Sequence, residues 1–389
     1  MKIINLSSIA NPISISVQNP SRSDYDRFIG LEHYDSGEPV ITRFQGTELL
    51  TTSAKAFKAN DILIARRNVY LKRAGIVFFD GITSGDSIIL RLKEDTQKTI
   101  GYSREDLIRY IPFMLNSEHF WIYANKHADG MNSKRISKDT LLEYEFELPS
   151  IDEMRDISDK LWAAYRLKEA YKKLLVTTDE MVKSQFIEMF GNPLSLNQKN
   201  ELKRLGECCI LNPRRPNIAL CDTDKVSFIP MPAVSEDGYL VDMTDEEYGK
   251  VKKGFTYFEN NDVLFAKITP CMENGKGAIV HGLTNGIGMG STEFHVLRPI
   301  NGISSPYWLL ALTRMPIFRE RAAKNMSGTG GQKRVSASYL DHFMVGLPAI
   351  EEQRRFEAIY RQADKSKSVI QKTLVYLNDI QSDELGKIA

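Results

Sequence analysis

The chain is 389 residues long, 42% hydrophobic and 26% charged. That length suits two domains with connecting elements, and the composition excludes wholesale disorder. Formal net charge is +1, from 51 basic and 50 acidic residues, which argues against coating nucleic acid by bulk charge but leaves room for local basic patches.

The opening stretch, MKIINLSSIANPISISV, is broken by Asn5, Ser7, Ser8, Asn11 and Pro12, so it does not read as a signal peptide. No stretch approaches the roughly 18 apolar residues of a membrane span. Cys208, Cys209, Cys221 and Cys271 fall in no disulfide or metal spacing, and the six histidines complete no ligand set. Free thiols, a cytoplasmic location, no membrane and no bound metal are the expectations.

Short alternating runs come first: ILIA (62–65), GIVFF (75–79) and SIILRL (87–92) predict strands. A helical pattern follows at 107–116, then another strand before Leu148-Pro149. Residues 150–190 predict one long helix. Ser150 and Glu153 form a capping-box pattern, Asp152 suits a helix start, and Gly191-Asn192-Pro193 is a strong stop. About 40 residues at 1.5 Å each span ~60 Å.

The same order then repeats. VLFA (263–266), AIV (278–280) and FHVL (294–297) match the first three runs, a helical segment covers 307–323, and a second long helix follows Leu347-Pro348. Lys134 to Arg155 aligns with Lys333 to Arg354 at an offset of 199, with nine of 22 positions identical; chance gives about one or two. FKANDILIA (57–65) resembles FENNDVLFA (258–266) at an offset of 201. The expected domains are therefore 1–149, a spacer helix 150–190, 191–349, and a second spacer helix 350–389.

The two long helices share one seam. Met154, Ile157, Leu161, Ala164, Lys168, Tyr171, Leu175, Thr178 and Val182 have counterparts in Gln353, Phe356, Tyr360, Ala363, Lys367, Ile370, Leu374, Leu377 and Gln381. Small and charged residues interrupt both seams at matching places, which predicts an antiparallel, coiled-coil-like pair. The predicted fold class is α+β: two similar α/β domains separated by these helices, as a pseudo-twofold internal repeat. Exposed helix faces also suggest that the isolated chain dimerises.

The sequence resembles the specificity subunits of Type I restriction–modification systems. The residues that carry the likeness are SQFIEMFGNP (184–193), KRLGECCILNPRRP (203–216), FIPMPAVSEDG (228–238), FENNDVLFAKITPCMENGKGAIV (258–280) and GLPAIEEQRRF (346–356). FIGLEHYDSGEPV (28–40) and FKANDILIARRN (57–68) look like the same module in the first copy. Two departures stand out: Met154 replaces Gln353 at the first helix start, and the first copy has no clear counterpart of Lys203-Arg-Leu-Gly206.

The resemblance implies two target-recognition domains, each reading one half of a split site in double-stranded DNA. It implies helices that space those domains and dock two modification (methyltransferase) subunits, with restriction (nuclease–translocase) subunits joining them. It also implies that S-adenosylmethionine, ATP and Mg sit on those partners, and that this chain binds no cofactor and carries no catalytic residue. Helices of ~60 Å and a DNA turn of ~34 Å predict half-sites one to two turns apart.

Phosphate anchors and base-edge contacts come next. Arg66, Arg67, Lys72 and Arg73 lie in an acid-free stretch, 62–79, and Lys324, Lys333 and Arg334 in another, 321–340. Lys267 joins them after the VLFA run. Asn132 in ADGMNSKR and Gln332 in SGTGGQKR have the amides to pair with adenine edges. Lys134-Arg135 and Lys333-Arg334 occur in both copies, and either contact DNA or hold the loop against its own domain.

Four catalytic-looking motifs fail. GIGMGS (286–291) leads into an alternating run, whereas a dinucleotide loop opens a helix. GTGGQKR (328–334) lacks the phosphate-loop spacing. Glu201-Leu-Lys203 has no upstream Pro-Asp and reads as linker. Asn192-Pro193 and Asn212-Pro213 lack the second proline and aromatic of an adenine-methylating loop. The competing reading is a duplicated, non-catalytic scaffold that assembles partners through its helices without reading DNA.

Overall fold

The structure is a computed structural model that describes residues 2–131, 133–191, 201–329 and 331–388. The chain divides into two compact units, residues 1–173 with 371–389 and residues 174–370.

In the first unit, Lys2–Asn5 pairs antiparallel with Glu145–Leu148. A four-stranded antiparallel sheet follows in the order Ala10–Ile13, Ser87–Leu92, Ile62–Ala65, Ala74–Ile76. Ile62 and Ile64 pack with Leu107, Tyr110, Ile111 and Met114 of helix Arg104–Met114. Leu63 and Ala65 face the other way, against Phe57, Ile29 and Val77. Burial on both faces explains why this strand reads as a continuous apolar run rather than an alternating one. The second sheet runs Ile15–Val17, Ala54–Phe57, Gly81–Thr83, Phe28–Ile29, the last two parallel.

The second unit repeats this plan. Glu201–Arg204 pairs antiparallel with Met344–Leu347, so Glu201-Leu-Lys203, read as linker, is a strand. Cys209–Leu211, Phe294–Pro299, Val263–Ala266 and Gly277–Ile279 form the first sheet. Val263 and Phe265 face the helices, while Leu264 and Ala266 face the second sheet. That sheet runs Thr244–Glu247, Lys225–Ile229, Ile287–Gly290, Thr256–Glu259. Three of its strands match the first unit, but the fourth is added at the opposite edge. A helix pattern expected across 307–323 is two helices, Pro306–Arg314 and Pro316–Lys324. Pro316 forces Met315 into an extended conformation and breaks the run.

The missing counterpart of Lys203-Arg-Leu-Gly206 is present as structure. Leu6–Ile9 is a single helical turn matching Leu205–Cys208, and Leu6 and Leu205 are both fully buried. The Leu6 amide donates to the Tyr144 carbonyl at 2.9 Å and the Leu205 amide to the Phe343 carbonyl at 2.8 Å. Only the leucine is needed for this plug, so little sequence likeness survives.

The repeated Asn-Asp turn has a physical reason. Asn60 and Asn261 both adopt φ 71°, a left-handed conformation that asparagine tolerates. Asp61 accepts the Lys58 amide and receives both nitrogens of Arg91 at 2.7 Å. Asp262 accepts the Glu259 amide and receives Arg298 at 2.8 Å through both nitrogens.

The long helices are Ile151–Phe190 and Ile350–Leu385. The first begins in the expected capping box, with the Glu153 amide donating to Ser150 Oγ and the Ser150 amide to Glu153. Gly191, at φ 67°, donates to the Ile187 carbonyl and closes it. In the first unit Lys168 lies 3.2 Å from Gln381 and 3.0 Å from Glu38. In the second, Lys367 lies 2.8 Å from Asp179, and Phe186 and Phe190 pack on Phe356. Rising numbers on one helix meet falling numbers on the other, so the segments are antiparallel within each unit. Every residue of both predicted seams is buried or half-buried.

The Met154–Gln353 departure also resolves. Gln353 accepts the Ser305 amide and donates to the Ile303 and Pro348 carbonyls. In the first unit Met154 packs into the core instead, and the Tyr102 hydroxyl donates to Pro149. The proline carbonyl is satisfied in both units, by different side chains.

Candidate nucleic-acid interface

Each unit presents one basic hairpin, built the same way. In the first, Asp129 and Arg135 exchange backbone hydrogen bonds of 2.9 and 2.8 Å. In the second, Ser327 and Arg334 do so at 3.0 and 2.8 Å. Both hairpins are stitched to the loop that leaves the buried central strand. The Asn68 amide donates to Lys134 and the Ile136 amide to Arg66; correspondingly, the Thr269 amide donates to Lys333 and the Val335 amide to Lys267.

An acid fixes each hairpin from below. Asp86 lies 3.7 Å from Arg135 and 3.8 Å from Arg67. Glu293 receives Arg334 through two hydrogen bonds of 2.8 Å, and that guanidinium holds its carboxyl below the usual range. Neither acid was singled out from the sequence. The available signal was an acid immediately before the third strand run in both copies, Asp86-Ser87 and Glu293-Phe294.

The structure brings the first unit's candidates onto two adjoining loops. Arg67 donates to Ser133 at 2.9 Å, and Ser133 in turn donates to Asn68. Arg73 donates to the Leu31 and Arg67 carbonyls, both at 3.0 Å, and burial lowers its pKa. Arg66 is half-buried, with its Nε enclosed. Lys72 pairs with Glu118 at 2.6 Å. Lys134 is exposed, and Arg135 braces on Asp86. Asn132 lies outside the described residues.

In the second unit Gln332 and Lys333 are exposed on the hairpin, and Thr269 donates to the Gly331 carbonyl at 2.6 Å to hold it. Lys267 is half-buried beneath it, and its amide donates to Glu293. Lys324 is exposed at the end of helix Pro316–Lys324, just ahead of the hairpin. The outward set is thus Lys134, Lys324, Gln332 and Lys333; Arg67 is exposed but bridged to Ser133, and Arg73, Arg135 and Arg334 are engaged in holding loops.

Two of the three glycines of GIGMGS serve packing. Gly288 and Gly290 sit in strand Ile287–Gly290, where a Cβ on Gly288 would lie 2.0 Å from the Phe258 ring. Among the described residues no three or more His, Cys, Asp or Glu side chains group as a metal site. No helix among them is long and apolar enough to cross a membrane.

Beneath the second hairpin, His295 is buried where the first unit has Ile88. Its Nε2 donates to the Val335 carbonyl at 2.9 Å, and Nδ1 faces the Asn212 amide at 3.0 Å. Burial pushes its pKa down, and Lys267 adds to this against Glu293. A histidine lowered in the fold contributes stability above its unfolded pKa, ~6.5, and loses it as pH falls through the folded value. We expect His295→Ile to reduce the acid sensitivity of unfolding below about pH 6.5; an identical pH profile for the variant would contradict this.

Residues 197–375 match a family model described as Type I restriction modification DNA specificity domain. The chain is 43% identical over 136 residues, 34% of its length, to the Type I restriction enzyme EcoAI specificity subunit of Escherichia coli. It is 37% identical over 166 residues, 42% of its length, to the EcoEI specificity subunit of the same organism. These matches span about a quarter of each relative, 23% and 27%. Two solved structures share the fold over 99% of this chain. One is a Type I restriction–modification S subunit from M. genitalium (TM-score 0.58, 14% identity, 94% of that chain). The other comes from work on complex assembly and conformational transition of a type I system (TM-score 0.54, 16% identity, 96% of that chain). The second unit is thus similar in sequence to the Type I restriction modification DNA specificity domain, and the first unit is built on the same plan.

Proposed function

We propose that the chain gives a Type I restriction–modification complex its DNA sequence specificity, recognising a bipartite, asymmetric site with one unit per half. The observation that carries this reading is the repeated hairpin, pinned from below by an acid and presenting Lys134 in one unit and Lys333 in the other. Exposed lysines on a rigid platform suit phosphate contacts. Arg67 and Gln332 add groups able to bond base edges, and Arg66, Arg73, Arg135, Lys267 and Arg334 shape the loops that carry them. Different fourth strands and different hairpin tips, ADGMNSKR against SGTGGQKR, give the two half-sites different sequences.

The helices are the proposed dock for two modification subunits, with restriction subunits joining. Supporting this, an open groove of about 590 Å³ in the second unit is lined by Leu174, Met181, Ile359, Ala363 and Ile370. Apolar surface of this kind marks interaction sites. Methylation and cleavage then belong to the partners, which would hold S-adenosylmethionine, ATP and Mg, and this chain is non-catalytic.

The reading is tested by capture. A complex purified on a tagged copy of this chain is mixed with sheared genomic DNA, and retained fragments are sequenced. A shared split motif with a fixed gap is the expected result. Retention without any common motif would favour the scaffold reading.

A further inference from the structure

One feature of the first unit has no counterpart in the second. Between Asn68 and Lys72 the chain makes a tight turn, Val69–Leu71, bounded by two non-glycine residues in the left-handed region, at φ 55° and 48°. Such conformations are uncommon outside glycine and persist where surrounding structure enforces them. Here the enforcement is visible. Val69 is buried, the Asn68 amide is held by Lys134, the Leu71 amide donates to Asn68, and the Lys72 ammonium pairs with Glu118.

This rigid turn lifts Tyr70, 59% exposed, and Leu71, 38% exposed, out of the surface. They stand beside the hairpin that carries Lys134 and Arg135, and the neighbouring Arg67 bridges to that hairpin through Ser133. The matching positions in the second unit, at the offset of 201, are Cys271 and Met272. Met272 is fully buried there, so that unit presents no apolar projection at this place.

A fixed aromatic and a leucine beside the exposed Arg67 and Lys134 match what a duplex offers when it is opened: an apolar base face between two rows of phosphate. We propose that Tyr70 and Leu71 form a wedge that enters one base step of the half-site read by the first unit, with Tyr70 stacking on the unstacked base. Arg67 and Lys134 hold the backbone while the step opens. The second unit, lacking the wedge, reads its half without opening it. This inference rests on the proposed DNA-reading function.

The test uses the complex purified on this chain and duplexes carrying the motif found by capture, with 2-aminopurine placed at successive steps of each half. The wild type is expected to raise fluorescence several-fold at one step of one half only. Tyr70→Ala should abolish that rise and weaken binding to the motif about tenfold or more, whereas Tyr70→Phe should retain both. Tyr70 is exposed, so these variants should keep the wild-type melting temperature. If the wild type binds its motif but Tyr70→Ala leaves fluorescence and affinity unchanged, the wedge is wrong and the DNA-reading function stands. If the wild-type complex binds no motif, both fall.

Discussion

Removing Arg298 should destabilise the protein by about 3–5 kcal/mol, because among the described residues no other cation pairs with the carboxylate it leaves behind. Asp262 is 1% exposed at its side chain, and its two oxygens take Arg298 in a bidentate pair. The Glu259 amide alone would remain to compensate a buried charge. Arg298→Lys should recover little, since a single ammonium cannot satisfy both oxygens in the same plane. Asp262→Asn keeps the Glu259 contact and removes the charge, so its cost should be smaller than that of Arg298→Ala. Arg91→Ala, opposite Asp61, should behave like Arg298→Ala in the first unit. Denaturant unfolding measures all of these. A loss under about 1 kcal/mol for Arg298→Ala would place the pair with surface ion pairs, contrary to its burial.

The second large effect concerns binding. Lys134→Ala and Lys333→Ala should each weaken DNA binding across all sequences and flatten its salt dependence by roughly 0.9 in log–log slope, the signature of one lost phosphate contact. Arg334→Ala should behave differently. Its guanidinium is committed to Glu293, so the variant loosens the hairpin and lowers preference for the motif more than it changes the salt slope. Binding measured across a range of salt separates these outcomes. An unchanged slope for both lysine variants would mean the DNA face lies elsewhere.

Much of the fold is legible in the sequence because it is periodic or repeated. The 3–4 spacing of both helix seams gives their buried faces directly, including Lys168 and Lys367, whose burial is made possible by Glu38 and Gln381 in one unit and Asp179 in the other. The Asn-Asp turn is legible because the left-handed asparagine and the paired aspartate tolerate few substitutes. The opening strand and turn of the first unit are not, because backbone pairing and one buried leucine suffice to build them. The helix break at Met315 was in plain view as Pro316, but the apolar spacing on either side hid it.

The site was legible in a different measure. The doubled Lys-Arg pair marks the hairpins, and the structure divides its labour: the lysine faces outward and the arginine grips an acid. That acid is distant in sequence, 49 residues away in one unit and 41 in the other, so only its repeated place just before the third strand run marks it. Lys72 and Arg73, expected as DNA-binding cations from their acid-free stretch, are tied to Glu118 and to carbonyls. Tyr70 was unremarkable as one tyrosine among 16; only the turn that projects it makes it distinctive.

The most direct test of the account is a genome-wide map of methylated adenines in the host, before and after deletion of this chain. One split motif with a fixed gap is expected, disappearing on deletion and returning when the chain is restored. Retention of that motif without the chain would contradict it.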